Sequence, residues 1–286
     1  MSLFFVDSSC DLDAQLIKNL GIECFSLPFK IEGEVKSITD DFDYLKFYSK
    51  VRKGVDLSYE ALSEKGYIKI FEPALQGGDD IVYVHASSKI FDTKNLVSAR
   101  EKLLNKYPER KIELIDSKNF SVGYGAVCFK LALEYRNGKT IQEIVDNAYE
   151  TIDSMACYMV VDSLEPVNNF GAMDCGAVVG TALNIKSILA IDIDGNFRLL
   201  EKVSGKKRAV SKLVQLIRQT GKNIADNPLY VCNSHSASDA DSLIGTLKEY
   251  MGDDFKAVSE NLTPSNTIVV GNGVVLVSFP VHKKIH

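Results

Sequence analysis

Short apolar runs in this chain alternate with stretches of helical spacing. Phe4-Phe5-Val6, Ile81-Val82-Tyr83-Val84 and Ile112-Glu113-Leu114-Ile115 each read as a short buried strand. Each ends in a small polar cluster: Asp7-Ser8-Ser9, His85-Ala86-Ser87-Ser88 and Asp116-Ser117. A helical pattern follows each one. Leu12, Leu16 and Leu20 form the first stripe, and Leu96, Ala99 and Leu103 the second. The third pattern, 122–135, is apolar almost all round and predicts a buried helix. Phe42, Leu45, Tyr48 and Val51 form a further stripe. Thr140-Ile141-Gln142-Glu143 reads as a capping box, opening a helix with Ile141, Ile144, Val145, Ala148, Ile152 and Met155 on one face. Strands alternating with helices predict a parallel sheet.

The second half has a different texture. A strand at 157–161 leads to runs at 183–191 and 197–202, which flank the hairpin turn Asp194-Gly195-Asn196. A helix with Val210, Leu213, Val214 and Ile217 inward precedes a strand at 229–232. Ser238 reads as the start of a helix that buries Leu243, Ile244 and Leu247. Runs at 267–270 and 274–279 read as strands joined at Gly271-Asn272-Gly273. The pattern predicts an α/β protein of two domains: a parallel-sheet domain over 1–155 and a mixed-sheet α/β domain over 156–286.

In a parallel sheet, ligands bind outside the carboxyl ends of the strands. The three polar clusters lie at that edge, where hydroxyls and helix-terminal N–H groups suit a carboxylate or phosphate. Capping of the following helices explains the same residues equally well. The net charge of −5 over 286 residues leaves no basic footprint for nucleic acid. No apolar stretch is long enough to span a membrane, and no signal-peptide pattern opens the chain. The six cysteines, at 10, 24, 128, 157, 175 and 232, are scattered, as expected of free thiols in a reducing cytoplasm. The histidines at 85, 235, 282 and 286 have no ligand-like spacing with them, so no metal is expected. No phosphate loop, dinucleotide fingerprint or nucleophile elbow is present, and no enzyme activity or cofactor is expected. His85 reads as a hydrogen-bonded structural histidine and His235 as part of a polar turn. Lys206-Lys207-Arg208 reads as a solvated helix start.

Several segments, in order and spacing, resemble the DegV family of bacterial fatty-acid-binding proteins. They are Val6-Asp7-Ser8-Ser9-Cys10-Asp11-Leu12, Phe71-Glu72-Pro73, Ser87-Ser88, Ile115-Asp116-Ser117 with Ser121, Gly123 and Gly125, and Gly180 with Leu183-Asn184-Ile185-Lys186. The resemblance covers essentially the whole chain. It implies a two-domain fold that holds a long-chain fatty acid, with the tail in an apolar tunnel and the carboxylate at the interdomain cleft. It also implies a partner, since such proteins present the acid to a separate fatty acid kinase.

The chain departs from the family at the carboxylate donors. The family's Thr-Ser pair falls on Tyr59-Glu60, and its Ser-Gly-Thr becomes Phe91-Asp92-Thr93. Its Gly-Gly-Arg falls on Asn169-Phe170-Gly171, and its late histidine segment becomes Val270-Gly271-Asn272-Gly273. The lipid site expected from the resemblance therefore comprises Ser8, Ser9, Tyr59, Glu60, Ser87, Ser88, Phe91, Thr93 and Asn272. Tyr59 and Phe91 should narrow the head end, and Glu60 and Asp92 should add negative charge. Two readings stay open: a lipid-binding protein with an altered head site, or a regulatory or scaffold protein of the same fold that has lost the carboxylate site.

Overall fold

The structure, a computed structural model, describes residues 2–173, 184–224, 227–252 and 255–286. The first sheet is parallel throughout, in the order β2 (Ile22–Phe25), β1 (Ser2–Asp7), β6 (Asp80–His85), β7 (Ile112–Asp116). Its side chains alternate between faces with the period of a strand. Phe4, Val6, Val82, Val84 and Ile115 pack towards α1 (Ala14–Leu20), α5 (Val122–Arg136) and α6 (Ile141–Asp153). Phe5, Ile81, Tyr83 and Ile112 pack the other way, against α3 (Glu64–Gln76) and α4 (Lys94–Lys106). A small antiparallel sheet of β3 (Phe29–Ile31), β4 (Glu34–Lys36) and β5 (Leu57–Tyr59) packs with α2 (Tyr44–Arg52).

The second half forms a mixed six-stranded sheet from β8 (Met155–Val161), β9 (Ile185–Ile191), β10 (Phe197–Ser204), β11 (Leu229–Ser234), β12 (Ala257–Asn261) and β13 (Val274–Pro280). The order is β10-β9-β8-β13-β11-β12, with only the β11–β12 pair parallel. Ala156, Tyr158, Val160, Val231 and Val277 face α8 (Lys206–Thr220) and α9 (Ala237–Met251). Cys157, Met159, Val161, Cys232 and Leu276 face the core shared with the first half. Helix α5 lies between the two sheets, which is why it has no polar stripe. It touches β8, β11 and β13 on one side and α1 and α6 on the other. Gly125 makes this closeness possible, because a Cβ there would collide with the Cys10 carbonyl oxygen. Among the described residues, no helix is long and apolar enough to cross a membrane.

The expected strand at 267–270 is instead part of helix α10 (Pro264–Val270). Thr-Ile-Val-Val has the β-branched content of a strand. Proline in the first turn starts the helix, however, and burial of nearly every residue holds it. The short helix α7 (Glu165–Asn169) runs into the Asn169-Phe170-Gly171 segment. Helix α9 begins at Ala237, after Ser236, rather than at Ser238. Leu45, placed on an inward stripe, is 72% exposed, and Phe47 and Tyr48 are the buried residues of α2. The Thr140–Glu143 capping box and the 192–196 hairpin form as expected. Cys175, Gly176, Gly180 and Leu183 lie outside the described residues.

Candidate functional site

The carboxyl end of β1 turns through a short 3₁₀ segment, Ser8–Cys10, whose cap is the Asp7 side chain. One Asp7 oxygen accepts from Ser9 N at 2.8 Å and from Ser9 Oγ at 2.5 Å. The other accepts from the Tyr83 hydroxyl at 2.7 Å and the Tyr124 hydroxyl at 3.3 Å. Asp7 is 2% exposed, so these donors replace its lost water. Asp7 and Ser9 line a tight cleft of about 20 Å³, together with Leu27, Tyr59, Tyr67, Tyr83, His85, Phe91, Asp92 and Thr93. Burial pushes the Tyr59 and Tyr67 phenols upward, so both stay protonated. His85 Nδ1 donates to the Ala86 carbonyl at 2.8 Å, which leaves Nε2 facing other partners. No lysine or arginine lines this cleft among the described residues.

Two aromatic rings, Tyr59 and Phe91, line it, and a third, Phe170, packs against both. The ring centres of Tyr59 and Phe91 are 5.3 Å apart, and Phe170 lies 5.8 Å from each. Phe91 also stacks over Phe120 at 6.4 Å, and Phe120 meets Phe197 at 5.3 Å. The rings come from the end of β5, the loop before α4 and the end of α7. These are the three segments where the resemblance places hydroxyl and arginine donors.

The expected hydroxyls do not converge on one cavity. Ser9 and Thr93 line the cleft. Ser8 opens on its far side and accepts from Leu27 N at 3.0 Å. Ser87 is fully buried and donates to the Gly195 carbonyl at 2.8 Å. Ser88 is exposed and donates to Asp116 at 2.5 Å. Glu60 does not line the cleft and pairs with Lys30 at 2.7 Å. Asp92 lies at the rim, 61% exposed, and accepts from Lys94 N at 2.9 Å. Asn272 donates to the Tyr48 carbonyl at 3.0 Å, away from the cleft. The acidic side chain inside the cleft is therefore Asp7, a residue of the first strand-end cluster that was not among the expected site residues.

Three further contacts join the halves. Asp11, left-handed at φ 48°, accepts from Ser121 Oγ at 2.5 Å, from Asn266 Nδ2 at 2.6 Å and from Thr263 N at 2.9 Å. Burial outweighs these donors and raises the Asp11 carboxyl to about 7. The Tyr48 hydroxyl donates to the Leu262 carbonyl at 2.6 Å. The 192–196 hairpin docks on Ser87 through Gly195, which sits at φ +92° with no room for a Cβ against Ser87 Oγ. Gly195→Ala should therefore cost about 1–3 kcal/mol of stability, combining backbone strain with the clash. Urea unfolding would measure this, and a loss below a few tenths of a kcal/mol would refute the docking role.

These features define a class: an α/β fold with a parallel and a mixed sheet, and a tight, aromatic-walled cleft by the carboxyl ends of the parallel sheet. The chain belongs to the DegV family, whose model, described as an uncharacterised protein family, matches residues 4–280. A DegV domain-containing protein of Clostridium perfringens is 28% identical over 251 residues, 86% of each chain. A DegV family protein from Ruminococcus gnavus, solved with vaccenic acid, has the same fold. Its TM-score is 0.85 at 20% identity, covering 97% of this chain and 99% of that one. A DegV family protein from Eubacterium eligens, loaded with heptadecanoic acid, has a TM-score of 0.84 at 19% identity, covering 98% and 100%.

Proposed function

We propose that this protein is a non-enzymatic lipid-binding member of the family, which takes a long acyl chain and prefers an uncharged head to an ionised carboxylate. The fatty acids named for the Ruminococcus gnavus and Eubacterium eligens proteins support the acyl chain. The observation that carries the head preference is the Tyr59–Phe91–Phe170 cluster, set beside buried Asp7 with no cation lining the cleft. Each buried methylene contributes roughly 0.8 kcal/mol whatever the head is. A carboxylate placed near Asp7 would be repelled, whereas a hydroxyl could donate to His85 or Tyr59. Presentation of the bound lipid to a fatty acid kinase in the cytoplasm belongs to the same proposal.

Competition between palmitate and hexadecanol at pH about 5 and about 8 tests this. Hexadecanol should bind more tightly at the higher pH, and palmitate should gain affinity as pH falls, because a like charge raises the ligand's pKa. Tighter palmitate binding at the higher pH would refute the head preference. A second reading rests on the same rings: packed as they are, they fill the head site, which suits a protein that has kept the fold without a ligand. Native mass spectrometry of protein from a heterologous host separates the two. A co-purified lipid supports the first reading. Its absence, with no binding of either competitor, supports the second.

A further inference from the structure

The β1 turn has a second cavity on its other side, about 840 Å³ in volume, bounded by α1, β2, the 38–44 segment and the end of β12. It shares no lining residue with the aromatic cleft. Every residue from 21 to 26 lines it. Side chains of a strand point alternately to the two faces of its sheet, so a cavity lined by all of β2 lies against the strand's edge. β2 is the outermost strand of the parallel sheet, and among the described residues its backbone bonds only to β1. The N–H and C=O groups on its outer side therefore face the cavity without a strand to pair with. Beyond Asp11, four carboxylates line the cavity, Asp13, Glu23, Asp40 and Glu260, against one lysine, Lys18. None of the four is in an ion pair among the described residues. Burial and the Asp13 charge raise the Glu260 carboxyl, the mark of negative charge with little to offset it. Thr263, 4% exposed, lines the same cavity, and its Oγ1 has no hydrogen-bond partner. Phe25, Phe42 and Tyr44 add apolar surface, with the Phe42 and Tyr44 ring centres 4.9 Å apart.

We propose that this cavity docks an extended, lysine- or arginine-rich segment of a partner protein, which adds as a strand to the free edge of β2. Main-chain hydrogen bonds to an exposed edge give such a segment affinity, and its side chains give it selectivity. The extended form follows from the edge: a helix satisfies its own backbone groups and would leave those of β2 unpaired. The basic character follows from the lining. A cationic side chain is attracted to Asp13, Glu23, Asp40 and Glu260, whereas an acidic segment is repelled. Apolar residues between the basic ones have Phe25, Phe42 and Tyr44 to pack against. β2 has only four residues, so the added ladder is short and the charges carry much of the attraction. Binding should therefore weaken as salt rises.

The probe is a fluorescein-labelled peptide, Lys-Val-Arg-Val-Lys-Val, titrated with the full chain at low salt and followed by fluorescence anisotropy. Two comparison peptides separate the contributions: the same sequence N-methylated at every residue, which keeps the charges but cannot pair as a strand, and Glu-Val-Glu-Val-Glu-Val. The basic peptide should bind saturably, and both comparison peptides at least about tenfold more weakly. Glu23→Lys with Asp40→Lys should weaken the basic peptide by at least about tenfold. Glu101→Lys, exposed on α4, should leave its binding unchanged. Hydrogen exchange should show amides of 22–25 protected when the basic peptide is bound. Three results would each overturn the proposal: no saturable binding, equal affinity for the N-methylated peptide, or protection elsewhere with none in 22–25. The three peptides and the exchange experiment use the natural chain, so they decide the matter even if the charge-reversed variant does not fold.

Discussion

The Tyr59→Thr, Phe91→Ser double variant should bind a fluorescent long-chain acyl probe at least about tenfold more tightly than the natural chain, a gain of about 1.4 kcal/mol. It should also be less stable. Phe91 is 7% exposed and packs against Tyr59, Phe120 and Phe170, so its truncation should cost about 3–5 kcal/mol of folding stability. The two effects share a cause. The side chains that fill the cleft hold the halves together, and their removal leaves an apolar space with hydroxyls at its mouth. A long acyl chain can occupy that space. Titration at a temperature where the variant stays folded, checked by its near-ultraviolet dichroism, would read the affinity. Unchanged or weaker probe binding would mean that the rings do not occlude a lipid head.

The second large effect concerns Asp11 and pH. Its carboxyl is raised to about 7 in the folded protein, against about 3.9 in an unfolded chain. The folded state therefore holds this proton more tightly, and the stabilisation is fully present below about pH 4. It is lost progressively as pH rises through about 7, and amounts to on the order of 4 kcal/mol across that window. Tyr44 and Cys232 lie close to Asp11, but burial keeps both protonated there, so Asp11 is the group that changes. Asp11→Asn keeps an acceptor for Thr263 N and removes the titration. The natural chain should lose stability relative to Asp11→Asn between pH about 5 and about 8 in parallel urea titrations. Superimposable pH profiles would remove Asp11 from this role.

The apolar runs of the parallel sheet were legible because both of its faces are covered, which makes each strand apolar along its length. Helix α5 was legible for the same reason. The 274–279 run was read correctly, but 267–270 was not, because its β-branched residues follow a proline that starts a helix. Strand β2 and the short strands around α2 gave no signal. They are three or four residues long and only partly buried. At the site, Tyr59 and Phe91 were legible as bulk replacing hydroxyls, but their partner Phe170 was visible only as one residue of the altered Gly-Gly-Arg segment. Ser87 and Ser88 were read as one unit, yet adjacent residues in a turn point apart, one under the hairpin and the other into solvent. Asp7 was read as part of a strand-end cluster or a cap, and Asp11 only as part of the opening segment that resembles the family. Their larger roles depend on Tyr83, Tyr124, Thr263 and Asn266, which are remote in the chain and become neighbours only through the fold.

The turn from Asp7 to Asp11 is a partition one strand of backbone thick, with Asp7 and Ser9 on the cleft side and Ser8, Cys10 and Asp11 on the other. A shared wall makes the two compartments thermodynamically conjugate. Any occupant of the cleft that displaces Ser9 also displaces the peptide units carrying Ser8 and Cys10. An occupant of the other compartment that favours one position of the turn then alters the cleft's affinity by some factor, and filling the cleft must alter that occupant's affinity by the same factor. The sign is set by which position of the turn each partner favours, and a partner indifferent to that position transmits nothing.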